Sequence, residues 1–327
     1  MDYNILAKKV LSLYPISNPE IEFIRHNENV TFKITDKLCN KHYLLRIHKP
    51  ATEGLFGIQH TFDGIKSEIK LLQQLNSNNQ LKIQKPIANC LGEYVTEYSF
   101  SEFTSPCYST LLEWIDGPTL TLKEDNIEEI IFALGQNLAL FHHCSRQFKP
   151  GKDFVRPIYD IDRINFAIEE LKYGVKINLF SIEQYEIIKE VLILVKSQIK
   201  ELDLHGNAWG IIHADLQLGN IVINNDNPCF IDFGFCGFGY YLFDLGSAAS
   251  ILESNLRKTF LQGYASKSSF SFDKLKYIEG LIFMDTFISY VIFMRAENNA
   301  WIKTNATNIC NTLCKEFLEG NEVFYSF

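Results

Sequence analysis

Two periods alternate along the first third of the chain. Residues 4 to 14 place apolar side chains at helical spacing and stop at Pro15, which predicts a helix. Ile21 to Arg25, Val30 to Thr35 and His42 to His48 are short runs rich in β-branched and aromatic residues. They are broken by Asn27-Glu28-Asn29 and by Asp36-Lys37, the pattern of an antiparallel meander. A helical period returns from about Thr61 to Asn76, and strands are expected at Glu93 to Tyr98 and Pro106 to Ile115. Asp116-Gly117-Pro118 is a turn signal and marks the boundary between lobes. Beyond it the pattern predicts helices over 125–144, 157–171, 182–201, 241–251, 272–295 and 304–318. From Gly210 to Gly239 short apolar runs, turns and glycines replace that period. The expected fold class is therefore α+β, with an antiparallel-sheet N-terminal lobe carrying one main helix (1–112), a hinge (113–117) and a mainly helical C-terminal lobe (118–327).

Length and composition agree with that division. A chain of 327 residues, 46% hydrophobic, is large enough to bury two apolar centres. Charged residues at 21% and aromatics at 13% are ordinary for a globular protein, so neither a disordered chain nor a coiled coil is indicated. The net charge of −8 argues against a nucleic-acid partner, because phosphate backbones demand clustered Lys and Arg, and it suits a cationic substrate. The N-terminal residues do not read as a secretory signal. Leu281 to Met294, the longest apolar run, is interrupted by Asp285 and is too short to span a bilayer, so it is expected as a buried helix and no membrane association is expected. Eight cysteines without a C-x-x-C pair read as reduced thiols in a cytoplasmic protein. Cys310 and Cys314 share a helix face, but a metal there would need two further ligands that the neighbouring sequence does not supply. Oligomeric state leaves no trace in the sequence.

The chemistry concentrates in Ile211-Ile212-His213-Ala214-Asp215-Leu216-Gln217-Leu218-Gly219-Asn220, followed by Phe230-Ile231-Asp232-Phe233-Gly234. These match H-x-D-L-x-x-x-N and D-F-G in register. Phosphoryl transfer needs one carboxylate to orient an attacking hydroxyl and accept its proton, and oxygen ligands to hold Mg²⁺ against the phosphates of ATP. Asp215 suits the first role as base; Asn220 and Asp232 suit the second. Ile221 to Ile223 and Cys229 to Ile231 are expected to pair as a hairpin through Asn224 to Pro228, returning the chain towards Asn220.

This passage resembles the aminoglycoside phosphotransferase and choline kinase superfamily, which also includes type II homoserine kinases and related bacterial serine kinases. The likeness runs from about residue 20 to 250, is most specific at 211–246 and is lost after about 255, where the chain reads as featureless. It implies a protein-kinase-like two-lobed fold with ATP between the lobes. It also implies that Asp244, in Gly237-Phe-Gly-Tyr-Tyr-Leu-Phe-Asp244-Leu-Gly, accepts backbone N–H groups of the catalytic loop while His213 packs beneath. Arg46 stands where many kinases have Lys, with Leu44 on the same strand face as a roof for adenine and Glu68 as its ion-pair partner. No G-x-G-x-x-G precedes residue 60; the turn His26-Asn27-Glu28-Asn29 stands in its place, with Asn29 opening the N-x-x-F segment of the family. Leu111 to Gly117 resembles the interlobe hinge, so adenine is expected to bond the backbone of Glu113 and Ile115. His142 and His143 are expected as packing and helix-end residues.

The acceptor is expected to be a hydroxylated small molecule: an amino sugar, amino alcohol or hydroxy amino acid. Asp160, Asp162, Glu169, Glu279, Asp285 and Glu297 are candidates for its ammonium group, Asp285 foremost because it interrupts an apolar stretch. A protein serine/threonine kinase of the same fold and a nucleotide-binding pseudokinase stay open as alternatives.

Overall fold

The computed structural model describes residues 3–26, 29–48, 57–77, 80–99, 106–203, 206–296 and 298–325. The chain begins with α1 (Tyr3–Leu11), β1 (Pro19–His26), β2 (Asn29–Asp36), β3 (Lys41–His48), α2 (Phe62–Ser77), β4 (Pro86–Ile87), β5 (Thr96–Tyr98) and β6 (Cys107–Glu113). There follow α3 (Ile127–Gln147), β7 (Ile158–Tyr159), α4 (Ile161–Lys176), α5 (Ile182–Asp203), β8 (Trp209–Ile212), β9 (Ile221–Asn224), β10 (Asn227–Phe230) and β11 (Gly237–Tyr240). The chain closes with α6 (Tyr241–Ser250), α7 (Ser254–Ala265), α8 (Leu275–Phe293), α9 (Ala300–Asn311) and α10 (Leu313–Leu318).

Two compact units emerge. The first comprises Met1–Thr119, Gln147–Pro157 and Val222–Phe235; the second comprises Leu120–Arg146, Ile158–Ile221 and Cys236–Phe327. Two segments from beyond residue 118 thus fall with the first unit, and the reasons are local. Ile223 N–H donates to the Pro118 carbonyl at 2.9 Å, and Val155 N–H donates to Ser67 Oγ at 2.8 Å.

In the first unit the strand order is β1-β2-β3-β6-β4, with β5 also on β6, and every pair is antiparallel. Alternation along the meander turns Phe32, Ile34, Leu45, Ile47 and Leu111 to one face. There they meet Leu6, Ala7, Val10 and Leu11 of α1 in a closed core. Each of the larger side chains contributes about 1.5–3 kcal/mol by leaving water, which is why the short α1 is held. The β9–β10 hairpin turns at Asn225 and Asp226, with φ +50° and +60°, the left-handed pair that a two-residue hairpin demands. Gly117 has φ +140°, and a Cβ on it would lie 2.0 Å from the Ile223 carbonyl oxygen, so only glycine lets the chain pass this close to the hairpin.

The second unit builds a small sheet, β7-β11-β8, among helices. Its axis is α8, which buries residues all round, from Tyr277 and Ile278 to Tyr290 and Val291. Helices α3 and α7 cross at paired glycines: a Cβ on Gly135 would meet the Phe260 carbonyl oxygen at 2.1 Å, and one on Gly263 the Phe132 carbonyl oxygen at 2.0 Å. No helix among the described residues is long and apolar enough to cross a membrane.

Several boundaries differ from the pattern-based expectation. The strand expected from Glu93 begins at Thr96, because Asn89 Oδ1 accepts the N–H groups of Leu91 and Glu93 and holds that stretch as a turn. The helix expected over 157–171 starts at Ile161: Ile158 and Tyr159 pair with β11, and the Asp160 carboxylate caps the helix through Arg163 N–H. The helix expected over 304–318 is two, α9 and α10, parted at Thr312. Cys310 and Cys314 end up buried on either side of that break, and none of the eight cysteines is joined to another. Among the described residues no cluster of three or more His, Cys, Asp or Glu gathers to hold a metal. Helix α7 was unforeseen, although Leu256, Phe260, Leu261 and Tyr264 have helical spacing and are all buried.

Candidate active site

In the second unit the site is a loop held by one buried carboxylate. β8 delivers the chain to His213 and Ala214, whose N–H groups donate to Asp244 at 2.8 Å each, one to either carboxylate oxygen. Asp244 lies in the first turn of α6 and is fully buried. Its third donor is His142 Nε2, at 3.0 Å, and His142 Nδ1 lies 2.9 Å from the Tyr264 hydroxyl. A carboxylate only accepts, so Nε2 carries the proton towards Asp244 and Nδ1 accepts from Tyr264. Burial lowers the His142 pKa against the pull of Asp244, which keeps the ring neutral. This corrects the expectation for His142: it lies inside α3, which runs on to Gln147, and it bonds Asp244 instead of a helix end. His143 is exposed, and the His213 ring is fully buried.

Ala214 is held at φ +62°, a left-handed conformation that costs energy for any residue with a Cβ. The kink carries the chain into Asp215, whose Oδ2 accepts from Asn220 Nδ2 at 2.7 Å. The same Nδ2 donates to the Asp215 carbonyl at 3.0 Å, and Gln217 Nε2 reaches both Asp215 carboxylate oxygens at 3.2 and 3.3 Å. With its amide nitrogen committed twice, Asn220 keeps Oδ1 as a hard oxygen donor.

Of the acids weighed for a cationic substrate, Asp285 is the one drawn to this loop. It lies in α8, bonds Ser247 and feels the charges of Asp215 and Asp244. Burial pushes its pKa up to about 7, with Ser247 pulling down and the two carboxylates pushing further up. The others have different employment. Asp160 caps α4, and Glu169 pairs with Lys172 on the surface. Asp162 opens α4 close to Asn165. Glu279 is buried and accepts the N–H groups of Val323, Phe324 and Tyr325 at 2.9, 2.7 and 3.1 Å, so it anchors the C-terminal segment. Glu297 lies outside the described residues.

In the first unit the site is built from arginines. Arg46 on β3 donates from Nη2 to Glu68 Oε1 on α2 at 2.6 Å, both side chains 3% exposed. Glu68 shares its buried face with Ile65, Ile69 and Leu72. Arg46 Nη1 also lies 3.8 Å from Asp232 Oδ1. Asp232 follows β10 with φ +63°, a second left-handed residue, and Arg25 Nη2 of β1 binds its Oδ2 at 2.9 Å. The Asp232 side chain is 30% exposed and presents carboxylate oxygens suited to a hard divalent cation. Buried Arg156 fixes the two residues after it. Its Nη2 donates to the carbonyls of Phe233 and Gly234 at 2.9 and 2.6 Å, and its Nη1 donates to the Gly64 carbonyl in α2 at 3.1 Å.

The expected adenine contacts share the same sheet. Leu44 is half-buried on β3 opposite Leu112, and Glu113, exposed, closes β6 opposite Tyr43. Glu113 N–H is committed to the Lys85 carbonyl. Ile115 is buried against Val222 and Cys229 of the hairpin. Asn29 opens β2 opposite His48; Asn27 and Glu28 of that turn lie outside the described residues.

The phosphotransferase enzyme family model matches residues 20–278. The chain belongs to this family. As a phosphotransferase it has the protein-kinase-like fold, shown by its likeness to solved kinases. An aminopropanol kinase associated with a microcompartment shares 19% identity and a TM-score of 0.77, over 98% of this chain and 99% of that one. Amicoumacin kinase hAmiN, solved with AMP-PNP, Ca²⁺ and Ami, shares 17% identity and a TM-score of 0.76, over 100% of this chain and 96% of that one. Choline kinase from Cryptosporidium parvum Iowa II shares 18% identity and a TM-score of 0.67, over 98% and 97%. Comparison with curated proteins finds no match.

Sequence reasoning passed over three residues that the structure sets against the candidate site residues of this phosphotransferase. Arg25 and Arg156 carried no motif, and Tyr264 lay on the helix that was not foreseen. For Tyr264 the helical spacing of α7 was an available signal; for the two arginines there was none.

Proposed function

We propose that this phosphotransferase is an ATP-dependent kinase that moves the γ-phosphate to a hydroxyl of a small, amine-bearing molecule. An amino sugar, an amino alcohol and a hydroxy amino acid all meet that description. The observation that carries the reading is the state of Asp215: its loop hangs by two backbone N–H groups from Asp244, and its carboxylate is fixed by Asn220 at 2.7 Å. A carboxylate so oriented is suited to align a hydroxyl and take its proton, and transfer of this kind depends mostly on positioning. Asn220 Oδ1 and the Asp232 carboxylate are the ligands assigned to Mg²⁺, following the order of the two motifs; the ion, when bound, neutralises charge on the transferring phosphate.

Arg46, oriented by Glu68, is assigned to the nucleotide phosphates, and Leu44, Asn29 and the Glu113 and Ile115 backbone to the rest of the nucleotide. Asp285 is assigned to the ammonium group of the acceptor, for which a carboxylate close to Asp215 is complementary. The structural relatives support this choice of class: one is solved with AMP-PNP and Ca²⁺, and two are kinases of aminopropanol and choline.

The test is transfer of label from γ-labelled ATP, with Mg²⁺, across aminoglycosides, choline, aminopropanol, homoserine and related hydroxylated amines. Label on one small molecule supports the proposal. Label on protein alone would favour a protein serine kinase, and nucleotide binding without transfer to any acceptor a pseudokinase.

A further inference from the structure

The β1–β2 ladder is regular from Pro19↔Asp36 to Phe23↔Phe32 and then slips: Arg25 pairs with Thr31 and His26 with Val30, leaving Ile24 as the extra residue. Such a bulge bends a strand and re-aims the side chains beyond it. The Thr31 hydroxyl donates to the Arg25 carbonyl at 3.3 Å and ties down the bulged end. Past the bulge, the Arg25 guanidinium reaches Asp232 Oδ2 at 2.9 Å, while Arg46 approaches Oδ1 at 3.8 Å. One carboxylate therefore faces two guanidiniums.

The two arginines are placed for different reasons. Arg46 is 3% exposed and committed to Glu68, so breaking its contacts would leave charge buried. The Arg25 side chain is 49% exposed on the edge strand of the sheet, and an ion pair at that exposure adds little to stability. A divalent cation on Asp232 would put three positive groups around one carboxylate, and repulsion over a few ångströms disfavours that arrangement. Of the two guanidiniums, Arg25 is the one outside the core and able to leave. Triphosphate oxygens supply the negative charge it would lose, and the planar guanidinium fork matches them in geometry.

We propose that Arg25 is a phosphate-binding residue of this kinase, one that pairs with Asp232 and passes to the terminal phosphates when metal and nucleotide bind. It thereby takes on part of the role of the glycine-rich loop that the sequence lacks. The inference rests on the reading of Asp232 as a metal ligand and of ATP as phosphate donor.

The test compares wild type with Arg25→Ala and Arg25→Lys. Calorimetry gives the affinity for AMP-PNP with Mg²⁺ and for AMP; electron paramagnetic resonance gives the affinity for Mn²⁺ without nucleotide. Loss of charge-assisted bonds in Arg25→Ala should weaken AMP-PNP binding by about tenfold or more. AMP, which lacks the terminal phosphates, should bind as before. Mn²⁺ should bind several-fold more tightly, by roughly the attraction of the lost competitor, with Arg25→Lys falling between. AMP-PNP binding that is unchanged, or that falls together with AMP binding, overturns the proposal, as does Mn²⁺ binding that weakens or stays the same. Failure of the wild type to bind AMP-PNP would instead sink the nucleotide reading itself.

Discussion

The two units hold the carboxylates of the candidate site by opposite means. In the first, Asp232 and Glu68 are compensated by full positive charges, Arg25 and Arg46, at 2.9 and 2.6 Å. In the second, Asp244 is compensated by two backbone N–H groups and a neutral histidine, and Asp215 by amide side chains. Asp285 carries its own proton up to about pH 7. The contrast matches the cargo assigned to each: anionic phosphates call for guanidiniums, whereas an ammonium group calls for carboxylates held by neutral donors. It also predicts different responses to mutation, salt and pH.

The largest effect is expected where a full charge loses its partner. Glu68→Ala leaves Arg46 buried without its main counter-charge and should cost about 3–5 kcal/mol in urea unfolding. Arg156→Met removes the donor to three carbonyls and leaves them underbonded, a loss of about 1–3 kcal/mol. That variant should also speed amide hydrogen exchange around Phe233 and in the first turns of α2, because those are the segments Arg156 joins. Tyr264→Phe takes one neutral hydrogen bond from His142 and should cost about 0.5–1.5 kcal/mol. Its kcat should fall with little change in KM for ATP, since His142 bears through Asp244 on the loop that carries Asp215; a KM for ATP that rises with kcat unchanged would erase the distinction between the units.

The pH response is the subtlest. An unfolded aspartate titrates near 4, whereas Asp285 holds its proton to about 7, so between those values the native state binds the extra proton. Stability from this residue is therefore present at low pH and declines as pH rises through that window. Asp285→Asn should flatten the profile of unfolding free energy between about pH 4 and 7. In the wild type, affinity for an amine acceptor should climb as pH passes 7, and in Asp285→Asn it should not. A wild-type profile as flat as the variant's would place Asp285 in an ordinary solvated setting.

How much of the molecule is readable from sequence divides along physical lines. The meander, α2 and the buried α8 were legible because periods of 2 and 3.6 residues survive in the sequence. The motif spacing of Asp215, Asn220 and Asp232 falls along one short stretch and is visible there, and the N–H groups of His213 and Ala214 donate to Asp244 as the family resemblance implies. The Arg46–Glu68 pair was expected from the family resemblance, and the structure brings the two within 2.6 Å. What stayed hidden depends on contacts distant in sequence. The bulge that aims Arg25, the carbonyls that Arg156 gathers, and the glycine crossing that sets Tyr264 beside His142 leave no periodic trace. Glu279 was one of six acids weighed for an ammonium group, and nothing in the sequence shows that three backbone N–H groups of the C-terminal segment occupy it.

If Asp215 activates a small-molecule hydroxyl towards ATP, turnover depends on its carboxylate. The most direct test is Mg²⁺-dependent ADP release across a panel of hydroxylated amines, for wild type and Asp215→Asn, with AMP-PNP affinity measured on both. Release is expected with at least one acceptor, with a loss of about 10²–10⁴-fold in the variant and nucleotide affinity kept. Release that continues undiminished in Asp215→Asn would contradict that role for Asp215.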